Sequence, residues 1–191
     1  MKHHASDFGA SITALNTVVS VDSAGAQQYD LIVICDGSLT RIRGGAATAS
    51  VGGPLHDDNG LEIHTEDDQT IVFDSTVAAA NSLTTNGQYA TAELRGKLYI
   101  ADSTLRVYDP TTEILENVVT ANTGVVPTSQ PVICVYRDRL FLTGSDHVWY
   151  ASRQGDASDW YFGSDFGDAG AAVAGELAHA GKIGQTPLAL I

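Results

Sequence analysis

The residue types best suited to chemistry lie in one short acidic stretch. Asp57-Asp58-Asn59-Gly60, followed by Glu66, has the hard oxygen ligands of a calcium loop around a glycine that allows a sharp turn. Aligning Gly60 with the loop glycine puts Glu66 at the bidentate position and Asp57 and Asn59 at two further ligand positions. The first ligand would then be Leu55, which carries no side-chain oxygen. The segment therefore reads as half a calcium loop or as a polar hairpin turn, and only the second needs nothing more. Asp67 and Asp68 are adjacent carboxylates, but consecutive strand or turn residues point in different directions, so they read as a solvated face. A glycosidase needs two carboxyl groups facing each other across the substrate.

Other reactive types are similarly dispersed. There is no G-x-S-x-G nucleophile elbow, no phosphate loop, no dinucleotide fingerprint after a strand, and no histidine pair at zincin spacing among six histidines. His3 and His4 read as part of a polar terminus able to catch a stray divalent metal. Cys35 and Cys134 fall in the apolar runs LIVIC and VICVY and read as small buried hydrophobes. One disulfide between them is possible, and two cysteines cannot make a structural zinc site. No cofactor and no catalytic residue are expected. The segment Ser152-Arg153-Gln154-Gly155-Asp156-Ala157-Ser158-Asp159-Trp160 resembles the Asp-box turn of sialidase propellers. It departs from that box at Gln154, where Asp is needed, and in a spacing to Trp160 one residue too long. Seven arginines are present, with no local grouping.

Charge narrows the partners. With 10 Lys and Arg against 23 Asp and Glu, the net charge is −13, and a surface this acidic repels nucleic acid, whose affinity comes from clustered cations. The charge serves solubility, a wall past which DNA slides without sticking, or the binding of cations. Apolar content of 43% with only 17% charged residues marks a folded chain rather than a disordered one. No hydrophobic signal region follows Lys2, and no apolar run nears the roughly 20 residues that span a bilayer.

The elements that must position these residues are written as a repeat. Ile32-Val33-Ile34-Cys35-Asp36-Gly37-Ser38-Leu39 aligns without gaps to Leu98-Tyr99-Ile100-Ala101-Asp102-Ser103-Thr104-Leu105. Leu140-Phe141-Leu142-Thr143-Gly144-Ser145-Asp146-His147-Val148 follows with one extra turn residue. Each copy is an apolar strand, a turn of Asp, Gly, Ser or Thr, and a second strand, which specifies a β-hairpin. Leu98 and Leu140 lie 42 residues apart, within the spacing of about 40–50 residues expected of β-propeller blades. Leu61, Ile63, Ile71 and Phe73 predict another hairpin around Glu66–Gln69, and Ile114, Leu115, Val118 and Val119 a strand after the Asp109-Pro110-Thr111-Thr112 turn. Residues 77–91 read as a loop or weak strand, and 165–181 as loop or a short turn, because Gly167, Gly170 and Gly175 break a helix. The fold class expected is all-β, a propeller-like array of short antiparallel blades. Residues 1–28 form an arm or first strands, and residues 29–191 three to four blades open at the C-terminus. Trp149, Tyr150, Arg153, Trp160, Tyr161 and Phe162 are the candidate interface, for packing between blades or for contact with a partner.

The stretch from Val132 to Ile191 resembles tailed-phage virion proteins, the β-propeller tail hub or nozzle components that include phage stabilisation proteins. Arg137-Asp138-Arg139-Leu140-Phe141-Leu142 carries the likeness, with Trp149-Tyr150-Ala151-Ser152, Gly155-Asp156, Asp159-Trp160, and Gly184 before Pro187-Leu188-Ala189-Leu190-Ile191. The resemblance implies a ring-forming homo-oligomer in the virion, in contact with portal, adaptor or tail proteins, around DNA that passes unbound, with no catalysis and no membrane. Such proteins continue through more blades, so this chain reads as a partial propeller. Two alternatives stand beside it: a cellular carbohydrate-binding or protein-interaction propeller, and a propeller hydrolase of the lactonase or sialidase type.

Overall fold

Period-two alternation between Gly, Asp and Ser turns favours strands over helices, and every regular element among the described residues is a strand. The computed structural model describes residues 12–21, 24–35, 37–43, 72–76, 83, 89–144, 148–163 and 167–176. The strands are β1 (Ile12–Val21), β2 (Gln27–Cys35), β3 (Ser38–Arg43), β4 (Val72–Thr76), β5 (Ala90–Leu94), β6 (Lys97–Ala101), β7 (Leu105–Asp109), β8 (Ile114–Asn117), β9 (Val132–Tyr136), β10 (Arg139–Thr143), β11 (Val148–Ala151) and β12 (Val173–Glu176). They form three four-stranded sheets, ordered β1-β2-β3-β4, β5-β6-β7-β8 and β9-β10-β11-β12. Each is a meander in chain order, and every strand pair whose register is resolved is antiparallel.

The three hairpin copies are β2–β3, β6–β7 and β10–β11. Their turns grow in length along the chain. Cys35 pairs with Ser38 across two residues, one of them Gly37 at φ 77°. Ala101 pairs with Leu105 across three, because Ser103 stands where the first copy has its glycine. Thr143 and Val148 flank four. A second kind of turn precedes two of the copies. Arg95-Gly96 (φ 52° and 73°) joins β5 to β6, and Arg137-Asp138 (φ 48° and 61°) joins β9 to β10. Two positive φ values at the centre of a two-residue loop are the type I′ pattern, whose twist matches the flanking strands.

Three expectations are revised or refined. Residues 173–176, read as glycine-broken loop, are a strand, because β11 pairs with them: Ala151 with Val173 and Trp149 with Gly175. Glycine suits that position, since a Cβ there would lie 2.7 Å from the Trp149 indole. The strand after Pro110 ends at Asn117 rather than Val119, although the Val118 N–H still donates to the Leu105 carbonyl at 2.9 Å. The weakly alternating N-terminal residues contribute one strand, β1, over residues 12–21. Of the predicted hairpin around Glu66, only Phe73 falls in a described strand, β4. The remainder, with the Asp57–Glu66 stretch, lies outside the described residues.

The chain divides into two compact units, Met1–Gly87 with Asp109–Leu115, and Gln88–Tyr108 with Glu116–Ile191. In the first unit, β2 is buried on both faces from Ile32 to Cys35. Arg41, only 3% exposed, is balanced by Glu113 Oε1 at 2.7 Å within the same unit. In the second unit, Leu94, Tyr99, Ala101 and Leu105 from the β5–β8 sheet pack with Ile133, Leu140 and Leu142 from the β9–β12 sheet, and Ala157 and Trp160 complete the cluster. Leu98, Ile100 and Tyr108, on the opposite face of the β5–β8 sheet, are also buried. Truncating Leu140 to Ala should cost about 2–5 kcal/mol, the range for a buried leucine that leaves a cavity. Exposed Val173→Ala should stay within about 0.5 kcal/mol. Urea unfolding midpoints measured side by side check both.

Candidate functional site

Arginines 95, 139 and 153 are scattered in sequence, yet each is engaged by the turns of the second unit. The type I′ turns at Arg95-Gly96 and Arg137-Asp138 are clipped together by a two-pronged ion pair. Arg95 Nε donates to Asp138 Oδ1 at 2.9 Å and Nη2 to Oδ2. The Asp138 carbonyl accepts the Gly155 N–H at 2.7 Å, which ties a third turn to the pair. Arg139 donates Nη1 to the carbonyls of Ser152 (2.9 Å) and Ala171 (2.6 Å), and Nη2 to that of Ala169 (2.7 Å). Arg153 pairs with Asp168, and more distantly with Asp159 at 3.9 Å.

Residues 152–160 form a knot held from within. The N–H of Leu140 donates to Ser152 Oγ at 3.1 Å, and the Ser152 N–H donates back to the Leu140 carbonyl at 2.9 Å. The backbones of Arg153 and Asp156 form an isolated antiparallel bridge, the Asp156 N–H donating to the Arg153 carbonyl at 3.2 Å. Asp156 Oδ1 accepts both the backbone N–H and the hydroxyl of Ser158, at 2.9 and 2.6 Å, and Asp159 Oδ1 accepts the Tyr161 N–H at 3.0 Å. Such Asx bonds are why Asp and Ser fill turns. Trp160 closes the knot from below: it is fully buried, and its Nε1–H donates to the Ala157 carbonyl at 2.8 Å. Gly124 lies against it so closely that a Cβ would sit 2.5 Å from the Trp160 backbone.

The expected interface residues thus divide. Trp160 belongs to the core, and Arg153 is engaged by Asp168. Tyr150 packs against the core cluster and stacks at a tilt on Phe162, centroids 5.6 Å apart. Tyr161 and Phe162 are exposed. Trp149 lies on the opposite face of the sheet, stacked on Phe141 at 6.1 Å, and Phe141 meets Tyr136 edge-on at 6.3 Å. The Arg137 guanidinium covers the Tyr136 ring at 5.3 Å. Tyr136, Phe141 and Arg137 belong to this aromatic face without being among the expected interface residues. The available signal was strand register: Phe141 and Trp149 fall on one face because Phe141 pairs with Ala151 and Thr143 with Trp149.

An open cleft of about 250 Å³ runs beside the clipped turns, lined by Leu94, Arg95, Lys97, Tyr99 and Gly155 to Ser158. The Ser158 hydroxyl donates to the Asp156 carboxylate at 2.6 Å. Cys35 and Cys134 are both free thiols, the first buried and the second half-buried, where burial raises its pKa. Among the described residues, no group of three or more His, Cys, Asp or Glu is placed to hold a metal ion, and no helix is long and apolar enough to cross a membrane. Arg95 holds the Asp138 carboxyl below its ordinary value of 3.8, and Asp138 in turn raises Arg95. The Gly170 N–H, with Arg153 behind it, lowers Asp168. The assembled groups can brace three turns against one another and offer a polar rim beside an aromatic face. Comparison with protein-family models, with curated proteins and with solved structures found no match.

Two outcomes test the clip. Asn tolerates the left-handed backbone as Asp does, so Asp138→Asn isolates the ion pair and should lower the Tm at pH 7. A depressed carboxylate pKa contributes stability above the unfolded value and loses it as the pH falls through the folded one. The wild-type Tm should therefore fall below pH 3.8 more steeply than that of Asp138→Asn, as thermal melts across the acid range would show. Gly155→Ala forces a side chain to φ 78° with its Cβ 2.7 Å from Arg95 Nη2. It should cost about 1–2 kcal/mol from the backbone alone, read by urea titration.

Proposed function

We propose that this chain is a structural subunit of a phage virion, in the tail or the head-to-tail connector. Its sheets serve as successive β-propeller blades in a ring around the DNA channel. The observation that carries the reading is the succession of three four-stranded antiparallel meanders in strict chain order, each built on the repeated hairpin. A propeller blade is such a sheet. Burial of β2 and β6 on both faces supports sheets that are stacked rather than exposed on one side. Several residues that carry the phage resemblance, Asp138, Arg139, Ser152, Asp156 and Trp160, brace turns, as befits a structural wall rather than a reaction centre. A net charge of −13 suits a lining past which DNA moves without adhering.

The partly exposed row Tyr136, Phe141 and Trp149 favours a second reading, a cellular propeller that binds carbohydrate, since flat aromatic faces suit sugar rings. Electron microscopy of the purified chain separates the two. The virion reading expects closed rings with an open centre, and no retardation of duplex DNA even at about 50 mM salt, where phosphate-binding proteins hold most tightly. Monomers that bind an immobilised glycan would overturn it in favour of the second.

A further inference from the structure

The second unit carries its own packing rule. Strands β5 to β7 present Leu94, Tyr99 and Leu105 to the β9–β12 sheet, where they are 6%, 8% and 3% exposed. At the rim of that contact, Arg95 of the β5–β6 turn grips Asp138 of the β9–β10 turn. The following sheet repeats each donor position. Leu94 and Tyr136 each precede a type I′ turn, pairing with Lys97 and Arg139 across it. Tyr99 pairs with Ala92 as Phe141 pairs with Cys134, and Leu105 with Ala101 as Trp149 with Thr143. Arg95-Gly96 and Arg137-Asp138 fill the same two turn positions. Tyr136, Phe141 and Trp149 therefore stand on the face with which the preceding sheet meets its neighbour. Here Tyr136 is 57% exposed, and Phe141 and Trp149 are only half-buried. Arg137 is exposed over the Tyr136 ring and has no carboxylate partner among the described residues.

We propose that the face bearing Tyr136, Phe141 and Trp149 docks one further antiparallel sheet of this same plan. Arg137 clips to a carboxylate at the second position of that sheet's type I′ turn, as Arg95 clips to Asp138. The contact already formed within the unit specifies both requirements. Its receiving side consists of the aliphatic Ile133, Leu140 and Leu142 with an acidic turn beside them. The docking partner offers an equivalent aliphatic ridge and an equivalent anion. The aromatic row is bulkier than Leu94 and Leu105, whose places Tyr136 and Trp149 take, so it buries more apolar area per residue. The exposed guanidinium fixes the register, because a planar cation accepts a carboxylate in a two-pronged geometry. The proposal rests on the sheets acting as successive blades and not on the virion.

A head-to-tail cyclised peptide of residues 132–143 supplies the ridge and the turn carboxylate, and circular dichroism establishes that its hairpin has formed. Titrated into the full chain, it should shift Trp149 emission to shorter wavelength. Trp160, the other of the two tryptophans, is already fully buried. Arg137→Ala should weaken binding about two- to fivefold, the scale of a partly exposed ion pair. Arg137→Asp should weaken it further, and a peptide carrying Asp138→Arg should restore binding to that variant. In the chain alone, Arg137→Ala should leave the Tm close to the wild-type value, whereas Arg95→Ala should lower it. A folded hairpin that leaves Trp149 emission unmoved, binding indifferent to Arg137, or an Arg137→Ala melt as low as that of Arg95→Ala would overturn the proposal. Cellohexaose that moves Trp149 emission where the hairpin does not would overturn it in favour of a sugar-binding face. Closed rings of a chain that ignores the hairpin would sink this proposal and leave the virion reading standing.

Discussion

A sheet of four short strands has no interior of its own, and that constraint governs the second unit. Strands of four or five residues offer two or three side chains per face, too few to shelter themselves from water. In the second unit the solution is direct. Leu94, Tyr99, Ala101 and Leu105 of one sheet close on Ile133, Leu140 and Leu142 of the next, with Trp160 as the largest buried piece. The opposite face of β6, at Leu98 and Ile100, is equally dry. Within the second unit, burial therefore comes from packing one short sheet on the next rather than from longer strands.

Repetition creates a second problem at the turns. Two type I′ loops hold Arg95, Arg137 and Asp138 at positive φ, a backbone that bulky side chains resist. The bonds around them supply the compensation. Arg95 grips Asp138 with both prongs, the Asp138 carbonyl receives Gly155, and Arg139 gathers three loop carbonyls. The pairs sit at the surface, where an isolated ion pair contributes little. Here the network matters because each guanidinium joins segments far apart in sequence. The same bonds explain why the segment most suggestive of a motif, 152–160, behaves as a brace: its Asp, Ser and Trp side chains are turned onto its own backbone.

Much of this was legible beforehand. The hairpins at Cys35–Ser38 and Ala101–Leu105 followed from apolar runs interrupted by Asp-Gly and Asp-Ser-Thr, because turn chemistry is local. The burial of Cys35 followed from its apolar neighbours. Grouping of the arginines was not legible, since Arg95 and Asp138 are 43 residues apart and meet only when two sheets stack. A trace of it was present: Glu93-Leu94-Arg95-Gly96-Lys97-Leu98-Tyr99-Ile100 and Val135-Tyr136-Arg137-Asp138-Arg139-Leu140-Phe141-Leu142 are the same strand-turn-strand plan 42 residues apart. The second kind of turn was thus already written into the repeat.

Sequence by itself determined that this is an all-β chain of short hairpins with an acidic surface. Those properties depend on residue-by-residue alternation, turn preference and summed charge, and none needs a distant partner. Only the tertiary structure decided which aromatic is core and which is surface. Trp160 vanished beneath its own turn, while Trp149 lay across Gly175 on the opposite side of the sheet from Tyr150. It also made a strand of Val173–Glu176, whose glycine alone argues against one. In each case the deciding energy came from a neighbouring strand or sheet, and such contacts are not encoded in any local window of the chain.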